Sequence, residues 1–306
     1  MANLGQKLRS SKALSAVVTG FIKFLGWLPL SVVRILANTY AYVLYLIPNE
    51  SKCVLKANLQ VAYPTLSEAE YKAFIKANIA QSSRTFAEIG AMWCWELDKL
   101  LPLIKEVHGQ ELLDAAFEQN KGVILISPHI GNWELLVPYL SSKYPATFLY
   151  RPPNVSSVEG FMVKSRNRFG GDSAPTDNCG VRKLMKALAK NHVSVILPDQ
   201  DPGKTGSEYA PFFDRPVRTM TLLSKLVKKT QCQTLCAVMK RQPGLNGGFE
   251  LHLFESPDGI DDCDSLVATT ALNKAVEQCI EIVPTQYLWC YKRYRKPPEG
   301  VSNLYK

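Results

Sequence analysis

The residues best suited to chemistry stand in the segment SPHIGNWELL, positions 127–136. His129 is one of only four histidines, and Glu134 follows it by five positions. An alcohol is a poor nucleophile until a base takes its proton, and a neutral imidazole is the side chain suited to that near pH 7. A carboxylate bonded to one ring nitrogen fixes the tautomer and leaves the other nitrogen as acceptor. On a continuous helix the spacing would hold His129 and Glu134 apart; across the Gly131-Asn132 turn they can meet, with Asn132 as N-cap and Glu134 in the first helical turn. The pair is therefore expected to be catalytic, with His129 as general base and Glu134 as its orienting partner.

Three further clusters accompany it. Arg151, Lys164, Arg166 and Arg168 precede a Gly170-Gly171 pair, and guanidinium forks suit phosphate or carboxylate; a solvated helix face is the plainer alternative. Asp199-Gln200-Asp201 follows an apolar run, where two acids serve either a ligand or nearby backbone donors; Phe212 and Phe213, further on, either line a cleft or pack in the core. The last cluster, PTQYLWCYKRYRKPPEG (284–300), interleaves Tyr287, Trp289, Tyr291 and Tyr294 with Lys292, Arg293 and Arg295. It has the texture of a stacking surface for nucleic acid or of an interfacial belt. The GKT at 203–205 is no phosphate loop, because Pro198 stands where the motif needs glycine. The chain contains neither a G-x-S-x-G nor a G-x-G-x-x-G, which removes the signatures of a nucleophile-elbow hydrolase and of dinucleotide binding.

The elements that must position these residues are read from hydrophobic patterning. Apolar runs at 122–127, 146–150, 193–198 and 234–239 alternate with helical stretches at 132–142, 155–169, 180–190 and 218–230. Short, fully apolar strands between helices indicate a mixed, mostly parallel central sheet flanked by helices, an α/β fold. GFELHLF (248–254) alternates and reads as a sheet edge, and a last helix is expected at 265–282. Residues 50–98 read as helical, with Ser67 and Glu70 at capping-box spacing. Ligands in such sheets bind where strands end and helices begin, which is where His129 and Asp199 fall.

Residues 13–47 form an apolar N-terminal helical region whose longest charge-free run, 35–49, is short for a membrane span. Lys7, Arg9, Lys12, Lys23 and Arg34 set positive charge beside apolar residues, as contact with anionic lipid would reward. Two parts follow: a membrane-associating region, 1–48, and an α/β domain, 49–306. Among 306 residues the net charge of +9 calls for an acidic partner. The eight cysteines include no C-x-x-C; they read as reduced, mostly core thiols, and no metal or other cofactor is expected.

In this setting the H-x-x-x-x-E of His129 and Glu134 resembles the H-x-x-x-x-D/E signature of the glycerolipid and lysophospholipid acyltransferases. The order HIGNWE, YRP, then Arg166, Arg168 and Gly170, LPDQD, PFF and QYLWCYKRYRKPP is similar to the bacterial late acyltransferases of lipid A biosynthesis, over about residues 20–298. Asp214 and Val217 after PFF, and WCYKRY at 289–294, depart from that family's pattern. The resemblance implies transfer of a fatty acyl group from acyl carrier protein to a hydroxyl of a phosphorylated glycolipid. The reaction would lie at the cytoplasmic face of the bacterial inner membrane, against its lipid, with no nucleic acid partner. It also implies that Arg166 and Arg168 belong to the site, and Arg151, Asp199 and Asp201 of the neighbouring clusters are expected to bind substrate with them. Acyl transfer to another glycolipid or a lysophospholipid is the neighbouring alternative, and a basic membrane-surface or nucleic-acid-binding protein the non-enzymatic one.

Overall fold

The computed structural model describes residues 12–152 and 156–305. The chain begins with α1 (Lys12–Trp27), α2 (Leu30–Leu46), α3 (Glu50–Ala62) and α4 (Glu68–Cys94). Then come the short α5 (Leu97–Leu100), β1 (Ile104–His108), α6 (Gln110–Glu118), β2 (Val123–Ile126) and α7 (Leu136–Lys143). They are followed by β3 (Thr147–Tyr150), α8 (Ser156–Asn167), β4 (Asp172–Pro175), α9 (Asn178–Leu188) and β5 (Val193–Ile196). A hairpin of β6 (Ser207–Phe212) and β7 (Arg215–Met220) leads to α10 (Leu222–Thr230), β8 (Gln233–Arg241), β9 (Phe249–Glu255) and α11 (Ser265–Ile282).

The central sheet has the order β1-β9-β8-β2-β5. All its neighbours are parallel except β8 and β9, so the mixed, mostly parallel sheet expected from the apolar runs is present. Its strands are covered on both faces. Ile124 and Ile126 of β2 join the core under α9, α10 and α11, whereas Val123 and Leu125 join the core under α6, α7 and the end of α4. That double burial is why the strand reads as an unbroken apolar run.

Several expected boundaries shift. The sheet edge is β1, not β9; β9 alternates because Glu250 and His252 project from a half-exposed face while Phe249, Leu251 and Leu253 are buried. Residues 218–220 belong to the hairpin, and the helix expected from 218 starts at Leu222. The hairpin turns through Phe213 and Asp214, both at positive φ (46° and 58°). The capping box is present: the Ser67 hydroxyl accepts from the Glu70 N–H, and Glu70 accepts from the Ser67 N–H at 2.7 Å. All eight cysteines are free, but only Cys232, Cys236 and Cys279 are buried, fewer than expected.

The N-terminal helices pack along α4. At one crossing Gly26 meets Gly90 so closely that a Cβ on Gly90 would lie 2.6 Å from the Gly26 nitrogen. Their outer faces stay apolar and exposed: Val17, Phe21, Phe24 and Trp27 on α1, and Ile35, Leu36, Tyr40, Val43 and Leu46 on α2. Among the described residues no single helix is long and apolar enough to cross a membrane; α2 with α3 passes only as a pair bent by 82°. Arg34 departs from its expected place at the lipid. It is fully buried, paired with Glu88, and donates to the Leu245 carbonyl at 2.9 Å. Lys7 and Arg9 lie outside the described residues.

Candidate active site

Register builds the site. Ile126 of β2 is paired with Ile196 of parallel β5. His129 and Asp199 each stand three residues past those partners, so both emerge side by side at the carboxyl end of the sheet. The Asp199 carboxylate grips its neighbour twice, with Oδ2 accepting the His129 backbone N–H at 3.0 Å and Oδ1 lying 2.8 Å from Nδ1. With the proton on Nδ1, Nε2 is left as the acceptor, and the Gln200 side-chain nitrogen lies 3.3 Å from it. The imidazole side chain is 19% exposed and the Asp199 side chain 3%. Burial alone would raise the Asp199 carboxyl, but the adjacent His129 and, beyond it, Arg293 outweigh burial and hold it below its ordinary value. Tyr287 stands behind Asp199, and burial followed by the Asp199 charge pushes its phenol well above normal.

The carboxylate bonded to the ring is therefore Asp199, and the expectation that Glu134 bonds to it is corrected. The first turn after Asn132 is a 3-10 turn, Trp133–Leu135, with α7 beginning only at Leu136. This turn directs Glu134 inward, where it accepts from the Trp93 indole N–H at 2.9 Å and from both Nε and Nη2 of Arg166, the former at 3.3 Å. Burial opposes ionisation of Glu134, but Arg166 and Trp93 outweigh it, and its carboxyl is held low. Trp133 instead lies against His129, ring centroids 4.9 Å apart, and edge-on to the exposed Phe86.

Asn132 does not cap the turn with its side chain. It donates to Glu88 at 2.9 Å. Glu88 is fully buried between Arg34 (2.7 Å) and Arg241 (2.9 Å from Nε). Burial would raise its carboxyl, but the two guanidiniums more than offset that and hold it low. The Gly131 loop is fixed from the same helix, since the Thr85 hydroxyl donates to the Gly131 carbonyl at 2.9 Å. Gly131 sits at φ +58°, and a Cβ there would fall 1.9 Å from the Met239 carbonyl oxygen, so no other residue fits. Thr85, Glu88 and Met92 repeat at helical spacing on α4, a buried polar and apolar stripe facing the loop.

The other predicted site residues separate. Arg166 turns its fork to Glu134. Arg168 donates to the carbonyls of Trp93 (2.6 Å) and Trp95, where a cation offsets the carbonyl end of α4. Arg151 is exposed on the loop after β3. Asp201 accepts from Arg295 Nε at 2.9 Å and from the Gly203 N–H at 2.9 Å; burial would raise it, but these bonds, with Arg218 nearby, hold it low. The aromatic-basic segment is largely inside: Tyr287, Trp289, Arg293 and Tyr294 are buried, Asn58 donates to the carbonyls of Trp289 and Tyr291, and Arg295 and Lys296 are exposed. Phe212 is core, packed on Phe213 at 4.8 Å.

An imidazole held by a buried carboxylate, with its other nitrogen turned to a strand exit, is an arrangement able to take a proton from a hydroxyl group. Comparison with known proteins gives the reaction. The family model described as bacterial lipid A biosynthesis acyltransferase matches residues 6–296. The lipid A biosynthesis lauroyltransferase of Escherichia coli (strain K12) is 26% identical over 254 residues, 82% of this chain and 81% of the relative. The palmitoleoyltransferase of the same organism is 29% identical over 253 residues, 82% and 81% of the two chains, and its myristoyltransferase 24% identical over 249 residues, 79% and 75%. The chain belongs to the bacterial lipid A biosynthesis acyltransferases, and is an O-acyltransferase of lipid A synthesis.

Proposed function

We propose that the protein transfers a fatty acyl group from acyl carrier protein to a hydroxyl of a phosphorylated lipid A precursor, with His129 as general base. The observation that carries this reading is the His129–Asp199 pair. Asp199 holds the proton on Nδ1, and the substrate hydroxyl takes the place of the Gln200 amide at Nε2. As the hydroxyl oxygen attacks the thioester carbonyl, its proton passes to Nε2, and the buried Asp199 charge stabilises the imidazolium. Collapse of the tetrahedral intermediate breaks the carbon–sulfur bond, and the imidazolium returns the proton to the departing thiolate. Glu134 acts at one remove, holding Arg166 and Trp93 in place beside the loop.

The acceptor's phosphates are assigned to Arg218 and Arg295, which flank Asp201 next to Gln200, in place of Arg166. The net charge of +9 favours both an acidic carrier protein and a phosphorylated acceptor. The exposed apolar faces of α1 and α2 support a seat in the interface of the inner membrane, on its cytoplasmic side. The test is an assay with purified protein, acyl carrier proteins of several chain lengths and the lipid A precursor, read by product mass. His129→Ala should lower turnover by about 10²–10⁴. Unchanged turnover rejects the base assignment, and a product mass without the added acyl group on the precursor rejects the acceptor.

A further inference from the structure

The outer part of the sheet carries a second cluster of ionisable side chains. β1 and β9 run parallel with Glu106 opposite Glu250 and His108 opposite His252. Because side chains alternate faces along a strand, these four project from one face in two rows. On antiparallel β8, Lys240 stands opposite Glu250 and Val238 opposite His252. The His108 and His252 rings stack with centroids 4.7 Å apart and planes at 26°. Glu106 lies 3.3 Å from His108 Nε2, and Glu250 lies 3.2 Å from His252 Nε2. One donor atom from each of His108, Glu250 and His252 falls within 4.8 Å of the others.

The Lys240 ammonium lies 2.8 Å from Glu250, while among the described residues Glu106 is paired only with His108. Imidazole nitrogens beside carboxylate oxygens are the donor set of borderline divalent transition metals. Metal–ligand bonds of about 2.0–2.2 Å place tetrahedral donors about 3.3 Å apart, which side-chain rotations of these surface residues can reach.

We propose that His108, His252 and Glu250, with Glu106 as the fourth side chain, form a binding site for a divalent cation of the zinc class. The site clamps edge strand β1 to β9. Lys240 is its internal competitor, since ammonium and metal ion contend for the same Glu250 carboxylate.

The experiment uses the full-length protein, stripped with chelator and titrated with Zn²⁺ by calorimetry, with Cu²⁺ electron paramagnetic resonance as a direct view of the ligands. Expected are one saturable Zn²⁺ equivalent assigned to this face and a Cu²⁺ spectrum with coupling to two imidazole nitrogens. His108→Gln, at a half-exposed position that leaves the fold intact, should weaken Zn²⁺ binding at least tenfold, and His252→Ala likewise. Lys240→Met should tighten it, and His129→Ala should leave it unchanged. The proposal is overturned if no saturable binding occurs at micromolar Zn²⁺. It is equally overturned if the His108→Gln/His252→Ala double variant binds as wild type, which would place the ion elsewhere. Acyl transfer by His108→Gln should stay near wild type, so this result stands apart from the test of His129.

Discussion

Replacing Asp199 with Asn is the sharpest test of how the imidazole is prepared. The substitution keeps shape and volume but cannot keep both contacts. The backbone N–H of His129 is only a donor, so the amide oxygen must face it, at the position now held by Oδ2, 3.0 Å away. The amide NH₂ is then directed at Nδ1, where Oδ1 now sits at 2.8 Å. Nδ1 must become the acceptor, the proton moves to Nε2, and the base is lost. The charge is lost as well. At 2.8 Å and an effective dielectric constant of about 20, the carboxylate–imidazolium attraction is about 6 kcal/mol. Partial solvent access to the ring and the remaining amide contacts offset some of this, leaving about 4–5.5 kcal/mol of lost transition-state stabilisation. That corresponds to a fall of about 10³–10⁴ in kcat. Turnover would be followed by product mass under saturating donor and acceptor, with the fold checked by circular dichroism. The His129→Ala/Asp199→Asn double variant should be little worse than the worse single, because the two act as one unit. A folded Asp199→Asn protein within tenfold of wild type would refute the reasoning and return the orienting role to another group.

Further outcomes follow from other contacts. Arg34→Met leaves Glu88 with one guanidinium fewer in a fully buried setting and should cost about 3–5 kcal/mol in denaturant unfolding; a loss below 1 kcal/mol would mean Arg241 alone suffices. Asp214→Gly relieves a left-handed backbone position and should stabilise by about 0.5–1 kcal/mol, read as a small rise in Tm; a fall would show that the Asp214 side chain matters more than its backbone. Asp199, Glu134 and Glu88 are all held below their ordinary values by cationic partners. The stability they contribute is complete above the unfolded carboxyl range, about 3.9–4.3, and is lost as pH falls below it; denaturant midpoints unchanged from pH 7 to pH 3 would contradict this. Arg218→Ala should raise KM for a phosphorylated acceptor and leave a dephosphorylated one unaffected; equal effects on both would remove it as the phosphate ligand.

The fold was legible in the sequence wherever burial was two-sided. The runs at 122–127 and 193–198 could be little else than covered parallel strands, and they carried His129 and Asp199 to the same edge. What misled was proximity along the chain. Glu134 is near His129 in sequence, but the 3-10 turn at Trp133 sends it to Arg166. The true partner is 70 residues away. A signal for it existed: an apolar strand followed by Ser-Pro-His at 127–129 has its counterpart in Leu-Pro-Asp at 197–199. Two such exits in parallel register place their third residues together. The weak strands β1 and β4 were missed because their residues are mixed and partly exposed. The aromatic-basic segment deceived in the opposite way. Its arginines and tyrosines look like surface, yet Arg293 is buried because Thr219 and Asn273 accept from its guanidinium.

The ion-paired position of Arg34 also constrains how the protein is made. Its side chain joins Glu88, 54 residues later, and the carbonyls of Leu245 and Gly247, more than 200 residues later. During synthesis α1 and α2 leave the ribosome long before the strand pair that receives Arg34 exists. Contacts so distant in sequence form slowly, and apolar surface exposed meanwhile invites aggregation. Ribosome-bound chains arrested before residue 241 should therefore expose Arg34 to solvent-borne reagents, and chains released after residue 247 should protect it. The pairing of Arg34 is completed only when the last strands of the sheet are made.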